Sequence, residues 1–491
     1  LLELFFIHII SKKEKRGGEA MLKNLLLRPK AFISVFIFIH IFFLSLASLS
    51  SQDLNWEMSS VGDINNILPP EKQAEVYNEI LAWRLDNLLP QIMRREGIEL
   101  WLIICFEYAE DPVYRTLIVQ PMMSARRLSI LLFHDDPREG FKKLTANWHG
   151  SSTCGPMYTS IFTEDYRKKG AEGQLQAVAD YIRGKNPKNI GLNTAFHWEY
   201  FDDFSHGLGL SAFFKTKLEQ ALGPELSQKI VSAEKVCIDW LETRSPRELS
   251  LYRHLVGIGH DLIKEFFSNK VIIPDVTTSD EVVWWIRKRL LSLGLEPWFQ
   301  PSIDIIRSPE NMERYGKQDR VIRRGDVLHC DVGFRYLGLA TDMQHLAYVC
   351  RLGEADAPAG LKELLKKGNR LQEILMGEFK EGRTGNEILQ AALKKGQAEG
   401  LNPRIYTHSV GFYGHNSGLT IGMVEKQEFV PGTGEHPLYP NTVYAIELSV
   451  TGEIPEWNRA KVTFGLEDQA VFTKEGCRWV DGYPRNFYLI K

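Results

Sequence analysis

Cysteine is scarce in this sequence: six residues among 491, at positions 105, 154, 237, 330, 350 and 477, with no CxxC pair. That excludes a disulfide-stapled scaffold and leaves each cysteine as a small apolar residue. Positive charge is not concentrated either. The net charge is −3 and no large basic block follows the first fifty residues, which argues against a nucleic-acid partner, whose grip would need a positive surface. No internal repeat is evident. Apolar residues, in contrast, are not lacking: 44% hydrophobic against 25% charged is an ordinary globular balance, so long disorder is not expected. A chain of 491 residues is too long for one core and predicts two or three domains.

The first fifty residues carry a targeting pattern. From Met21, three basic residues (Lys23, Arg28, Lys30) precede an apolar stretch from Ala31 to Ala47, with small residues before Gln52. Residues 21–51 are therefore expected to be a secretory signal peptide, placing the protein in the periplasm or outside the cell. An uncleaved membrane anchor is the alternative, because the stretch is slightly long for a signal and short for a span. Residues 1–20 are expected to be an over-extended reading frame. The chain opens on Leu1, and "GGEAM" is what a ribosome-binding sequence ahead of the Met21 codon gives when translated, which points to a bacterial source.

Beyond the signal the pattern alternates. Residues 74–97 and 172–184 have helical periodicity, while 99–106 and 127–134 are short apolar strands. Alternation of this kind predicts an α/β domain over 70–238. His149, His197 and His206 are scattered through it and form no constellation. A boundary near 240 is marked by Ser245, Pro246 and Glu248, a capping box with proline at the first helical position. A second domain, 240–491, then carries helices near 279–293, 359–380 and 385–399 among strand-like segments.

In that second part, acids stand in apolar strands. "HCDVGFRYLGLATDMQHLAYV" (329–349) has a hairpin pattern. A turn centred between Tyr336 and Leu337 would set Asp331 directly opposite Asp342, with Cβ atoms about 5 Å apart. Glu447 lies among Tyr444, Ile446, Leu448 and Val450; Glu467 follows Val462, Phe464 and Leu466. Three strands thus present one greasy face and one face bearing a carboxylate. His415 lies between them in the glycine-rich "GFYGHNSGLTIGM". Taken singly, each acid is a strand-end or solvent-facing residue. Taken together, four buried like charges need something positive between them. Four carboxylates and a histidine suit two divalent cations, and oxygen-rich ligation favours manganese, with cobalt, zinc or iron as alternatives.

The order Asp331, Asp342, Gly414-His415, Glu447 and the final Leu466-Glu467-Asp468 resembles the creatinase/methionine-aminopeptidase superfamily of "pita-bread" metallopeptidases (M24) over roughly 240–491. The preceding α/β domain resembles that of the Xaa-Pro aminopeptidase and prolidase branch. The resemblance implies an α/β N-terminal domain followed by an α+β catalytic domain with a curved, mainly antiparallel sheet. It implies Asp331 on one metal, Asp342 and Glu467 bridging both, and His415 and Glu447 completing the second site. It also implies a metal-held hydroxide that attacks a peptide carbonyl, with Glu447 moving the proton. The expected partner is a peptide substrate; a homodimer is allowed, and no stable membrane span is expected once the signal is cleaved.

Several substrate-side positions depart from the family pattern. Gly422 stands where a second histidine is usual, and Arg314 or Tyr315 occupies the slot of an upstream one. Glu447 is followed by Leu448 and Ser449 instead of Pro-Gly. Gly465 replaces an arginine two before the last glutamate, and His345 stands in another arginine's slot. Replacement substrate-binding groups are sought in His345, His408, Arg314 and Tyr315, while Tyr413 and Trp457 are expected to pack. Three functions stay open: an exported aminopeptidase or dipeptidase, a non-catalytic binding module on the same fold, and hydrolysis of a non-peptide C–N bond.

Overall fold

The computed structural model describes residues 62–195 and 209–491, which form one compact unit. Residues 1–20, residues 21–51 with their expected signal peptide, His197 and His206 lie outside the described residues.

The first half is built on a six-stranded sheet. Its strands are β1 (Leu100–Phe106), β2 (Leu128–Asp136), β3 (Gly140–Thr145), β4 (Thr159–Ser160), β5 (Ile190–Leu192) and β6 (Ile230–Ser232), in the order β4-β3-β2-β1-β5-β6. β1 pairs antiparallel with β2 and parallel with β5. "LWLIICF" has no polar face because both sides of it are covered. Trp101, Ile103 and Cys105 pack with Leu81, Leu85 and Leu89 on one side. Leu100, Leu102 and Ile104 pack with Val178 and Ile182 of helix Gly170–Lys185 on the other.

The second half opens on helix Pro246–Phe266. Ser245 Oγ accepts from Glu248 N, and the Glu248 carboxylate accepts from Ser245 N, as the capping box predicts. Its strands are β7 (Glu296–Pro297), β8 (Ser302–Ile306), β9 (Val327–Val332), β10 (Phe334–Tyr336), β11 (Leu339–Ala340), β12 (Met343–Val349), β13 (Pro403–Ile405), β14 (Thr407–Val410), β15 (Thr420–Ile421), β16 (Thr442–Ala445), β17 (Leu448–Ile454), β18 (Ala460–Leu466), β19 (Gln469–Thr473), β20 (Gly476–Trp479) and β21 (Tyr488–Ile490). They form four sheets, antiparallel apart from β12 with β21. Helices Pro246–Phe266 and Ser279–Ser292 cover one side, burying Leu328, Cys330, Val443 and Val471. Helices Ala359–Met376 and Gly385–Ala398 cover the other, burying Leu346, Tyr444, Ile446 and Phe472. This is the α+β pita-bread arrangement, with the α/β layer before it.

The hairpin register differs from expectation. Asp331 faces Gln344, not Asp342. The turn is Leu337-Gly338, both with positive φ (55° and 75°), the two-residue turn whose twist suits a hairpin. A leucine at φ > 0 is rare enough to hide the true centre.

A buried ionic cluster joins the halves. Arg84 Nη1 donates to Glu248 Oε2 (2.7 Å) and to Thr243 O, and Arg244 Nη1 donates to Glu248 Oε1 (2.9 Å). Trp240 and Phe412 lie against Arg84, and Phe412 also against Arg244. From Phe412 the chain runs into the glycine-rich loop. Tyr413 Oη donates to Pro112 O (2.7 Å) and Asn416 Nδ2 to Leu241 O (3.0 Å).

Candidate metal centre

Alternation along β9 turns His329 and Asp331 to one face, and alternation into β12 turns Asp342 and Gln344 to the same face. The β17–β18 ladder pairs Leu448 with Leu466. One residue further out, Glu447 and Glu467 therefore face each other across the mouth of that hairpin. An isolated bridge between Gln344 and Glu467 joins the two ladders. Strands distant in sequence thus deliver four carboxylates to one place.

Ligand atoms of Asp331, Asp342 and Glu467 lie within 4.8 Å of one another, as do those of His408, Glu447 and Glu467, and of Asp342, His408 and His415. The sequence reading set His408 aside as a substrate-side group. The structure sets its Nε2 at the middle of the acids, 3.7 Å from Asp342 Oδ2, 3.8 Å from Glu447 Oε2 and 3.6 Å from Glu467 Oε1. Those separations are too long for hydrogen bonds. His408 Nδ1 lies 3.1 Å from the Ser409 carbonyl, which can only accept, so the proton is on Nδ1 and the Nε2 lone pair points at the acids. His415 is exposed, its ring 4.7 Å from that of His408 and 5.1 Å from that of Trp298.

The electrostatics of the cluster call for cations. Asp342 is 3% exposed and Glu467 2%. Among the described residues no lysine or arginine pairs with any of the four acids. Burial first, then repulsion from neighbouring carboxylates, pushes Asp342 and Glu467 far above the ordinary carboxylate range. Burial likewise raises Glu447 and Asp331, opposed by donation from Gln344 to the former and by His329 beside the latter. Burial, with His415 adding to it, drives His408 down to about 3, so its ring is neutral. Asp331 Oδ1, Glu467 Oε1 and His408 Nε2 are buried without a hydrogen-bond partner. Oxygen and imidazole atoms left open toward one point, in a cluster that no lysine or arginine among the described residues enters, fit divalent cations.

The other residues sought as substrate groups lie elsewhere. His345 points to the opposite face of β12, where its Nε2 is 3.6 Å from Asp468 Oδ2 beside His260. Arg485 and Asp481 complete that group, so it is balanced internally. A third group, Asp239, Glu242 and His436, is balanced by Arg95. Arg314 lies over the Tyr315 ring, which also carries Arg323. Gly422 cannot accept the family's histidine: its φ is 72°, and a Cβ there would strike the Ile405 carbonyl.

Two residues of the centre escaped sequence reasoning. Gln344 Nε2 donates to Glu447 Oε1 (2.6 Å) and Glu467 Oε2 (3.0 Å), and its Oε1 is 3.0 Å from His329 Nε2. Both stand two residues from an aspartate on the same strand face, a spacing that was visible in the sequence.

Residues 250–481 match the family model "Metallopeptidase family M24". No curated protein matches the chain. Among solved structures, the chain is similar to the X-Pro aminopeptidase of Thermotoga maritima MSB8 at TM-score 0.56 and 17% identity, covering 81% of this chain and 99% of that one. A dipeptidase of Pyrococcus horikoshii OT3 follows at 0.53 and 14%, covering 83% and 100%. The Xaa-Pro dipeptidase of Bacillus anthracis gives 0.51 and 14%, covering 86% and 100%. At such identities the likeness is one of fold.

Proposed function

Residues 250–481 belong to metallopeptidase family M24, and from that premise we propose that the protein is an exported two-cation peptidase acting at the N-terminus of peptides or on dipeptides. Xaa-Pro bonds are the first substrate class to try. The observation that carries this reading is the set of buried Asp342 and Glu467 with half-buried Asp331 and Glu447, unpaired with any lysine or arginine among the described residues, three of them approaching the open Nε2 of His408. Four negative charges balance two divalent ions, and the oxygen-rich set makes Mn²⁺ the favoured pair.

When bound, such ions lower the pKa of a shared water and stabilise the oxyanion of the attacked peptide. The chain's own residues do the rest. Asp331, Asp342 and Glu467 would hold one cation; His408, Glu447 and Glu467 would hold the other, with His415 beside Asp342. Glu447 keeps Oε1 on Gln344, and its carboxylate is the group that would take a proton from the attacking water and deliver it to the leaving amine. Burial keeps His408 neutral and its bond to Ser409 O holds the ring proton on Nδ1, so His408 does not compete for that proton.

Purified protein loaded with Mn²⁺ and assayed against a panel of Xaa-Pro and other short peptides tests the proposal. Metal-dependent cleavage is expected; bound metal without cleavage of any peptide would favour a binding module instead. Export rests on the signal-like residues 21–51. N-terminal sequencing of the mature protein should give a start just after Ala47, and a start at or before Met21 would mean retention as an anchor.

A further inference from the structure

We propose that Gln344 is the positioning residue of the centre, holding Glu447 and Glu467 by one oxygen each so that their other oxygens face the cations, with His329 fixing which way its carboxamide points. The proposal rests on the metal-centre reading and deepens it.

A carboxamide has two N–H donors and one acceptor oxygen. Gln344 spends both donors on carboxylates, Oε1 of Glu447 and Oε2 of Glu467. The oxygens left over are Glu447 Oε2 and Glu467 Oε1, the two that approach His408 Nε2 at 3.8 and 3.6 Å. One side chain thus divides each glutamate into a tethered oxygen and a free one. Turned over, the amide would aim its oxygen at two carboxylates. His329 opposes that turn: its Nε2 lies 3.0 Å from Gln344 Oε1 and must carry the proton, since the carbonyl oxygen can only accept. On its other side His329 Nδ1 lies 3.6 Å from Asp304 Oδ2, its cross-strand neighbour in β8.

Gly465 makes the room. A Cβ at 465 would sit 3.0 Å from Gln344 Oε1 and 3.1 Å from His329 Nε2. The family pattern carries an arginine at that position, and here its space belongs to the imidazole and the carboxamide. His329 and Gln344, hydrogen-bonded to each other, therefore stand beside the glutamates where the family pattern carries an arginine.

The test is Mn²⁺ binding by calorimetric titration of metal-free protein, with circular dichroism and the metal-free melting temperature as controls of folding. Gln344→Met keeps the volume and removes both donors. It is expected to weaken Mn²⁺ binding by about 10–100-fold, the usual cost of losing a partner that orients a ligand. His329→Phe should weaken it about tenfold, while His329→Gln, which restores a donor at the same reach, should stay within about threefold of the unaltered protein. Gly465→Ala removes no polar group and should shift binding in the same direction as Gln344→Met by crowding His329 and Gln344; it carries the test if Gln344→Met fails to fold. Unaltered constants in both Gln344→Met and Gly465→Ala would overturn the proposal and leave the metal centre standing. Unmodified protein that takes up no Mn²⁺ would overturn the metal centre itself, and this proposal with it.

Discussion

At the scale of single residues, adjacent positions carry opposite chemistry. Asp342→Asn removes one of the four carboxylates proposed to hold the cations. Metal analysis should show loss of bound Mn²⁺, and peptide turnover should fall by at least about 100-fold; equal metal and equal turnover would refute the assignment. Gly422→His, which writes the family's histidine back, should destabilise by roughly 2–4 kcal/mol in urea unfolding, because φ is positive and the Ile405 carbonyl blocks the Cβ. Behind the centre, His260 Nε2 lies 3.3 Å from Asp468 Oδ2 and 3.1 Å from Asp481 Oδ2. Burial works to lower His260, but the two aspartates outweigh it and hold the ring at about 9. A base raised in the folded state stabilises it fully below its ordinary value near 6.5, and that stabilisation is lost as pH rises through 9. Melting temperature should therefore fall between those values by more in the unaltered protein than in His260→Gln. Equal pH slopes would show that the ring is neutral.

At the scale of elements, β-structure decided what could be read from sequence and what could not. The carboxylates were legible because each stands in a strand whose other face is apolar, and period-2 alternation needs no partner to be seen. Register does need the partner. Leu337 occupies a left-handed position that sequence reasoning gives to glycine or asparagine, so the turn was centred one residue early and Asp331 was paired with Asp342 in place of Gln344. The same slip hid Gln344 and His329, whose role exists only once the strands are aligned. The sequence offers His408 and His345 alike as substrate-side groups, and only the fold shows that the Nε2 of His408 faces three acids while His345 turns away. The turn itself is testable: Gly338→Ala places a methyl group 2.6 Å from Tyr77 Cε2 at a φ of 75°. The expected cost is about 1–3 kcal/mol in urea unfolding; a change below about 0.5 kcal/mol would show that the turn relaxes.

At the scale of the whole molecule, the α/β layer and the pita-bread layer share a charged core. Glu248 serves Arg84, Arg244 and the helix cap at once. Glu248→Ala should cost about 3–5 kcal/mol, because it leaves two guanidinium groups buried together without a counter-charge. Arg84→Met should cost less, since Arg244 and Glu248 remain a balanced pair; the reverse order in urea unfolding would contradict this account. The loop that bears His415 leans on the same junction, tied to Pro112 through Tyr413 and to Leu241 through Asn416. Part of its bracing therefore comes from outside the 250–481 match. A chimera that kept that stretch and exchanged everything ahead of it would inherit the acids while losing the struts that aim the imidazole, so grafting this module onto a foreign leader half should give a folded but poorly metallated hybrid.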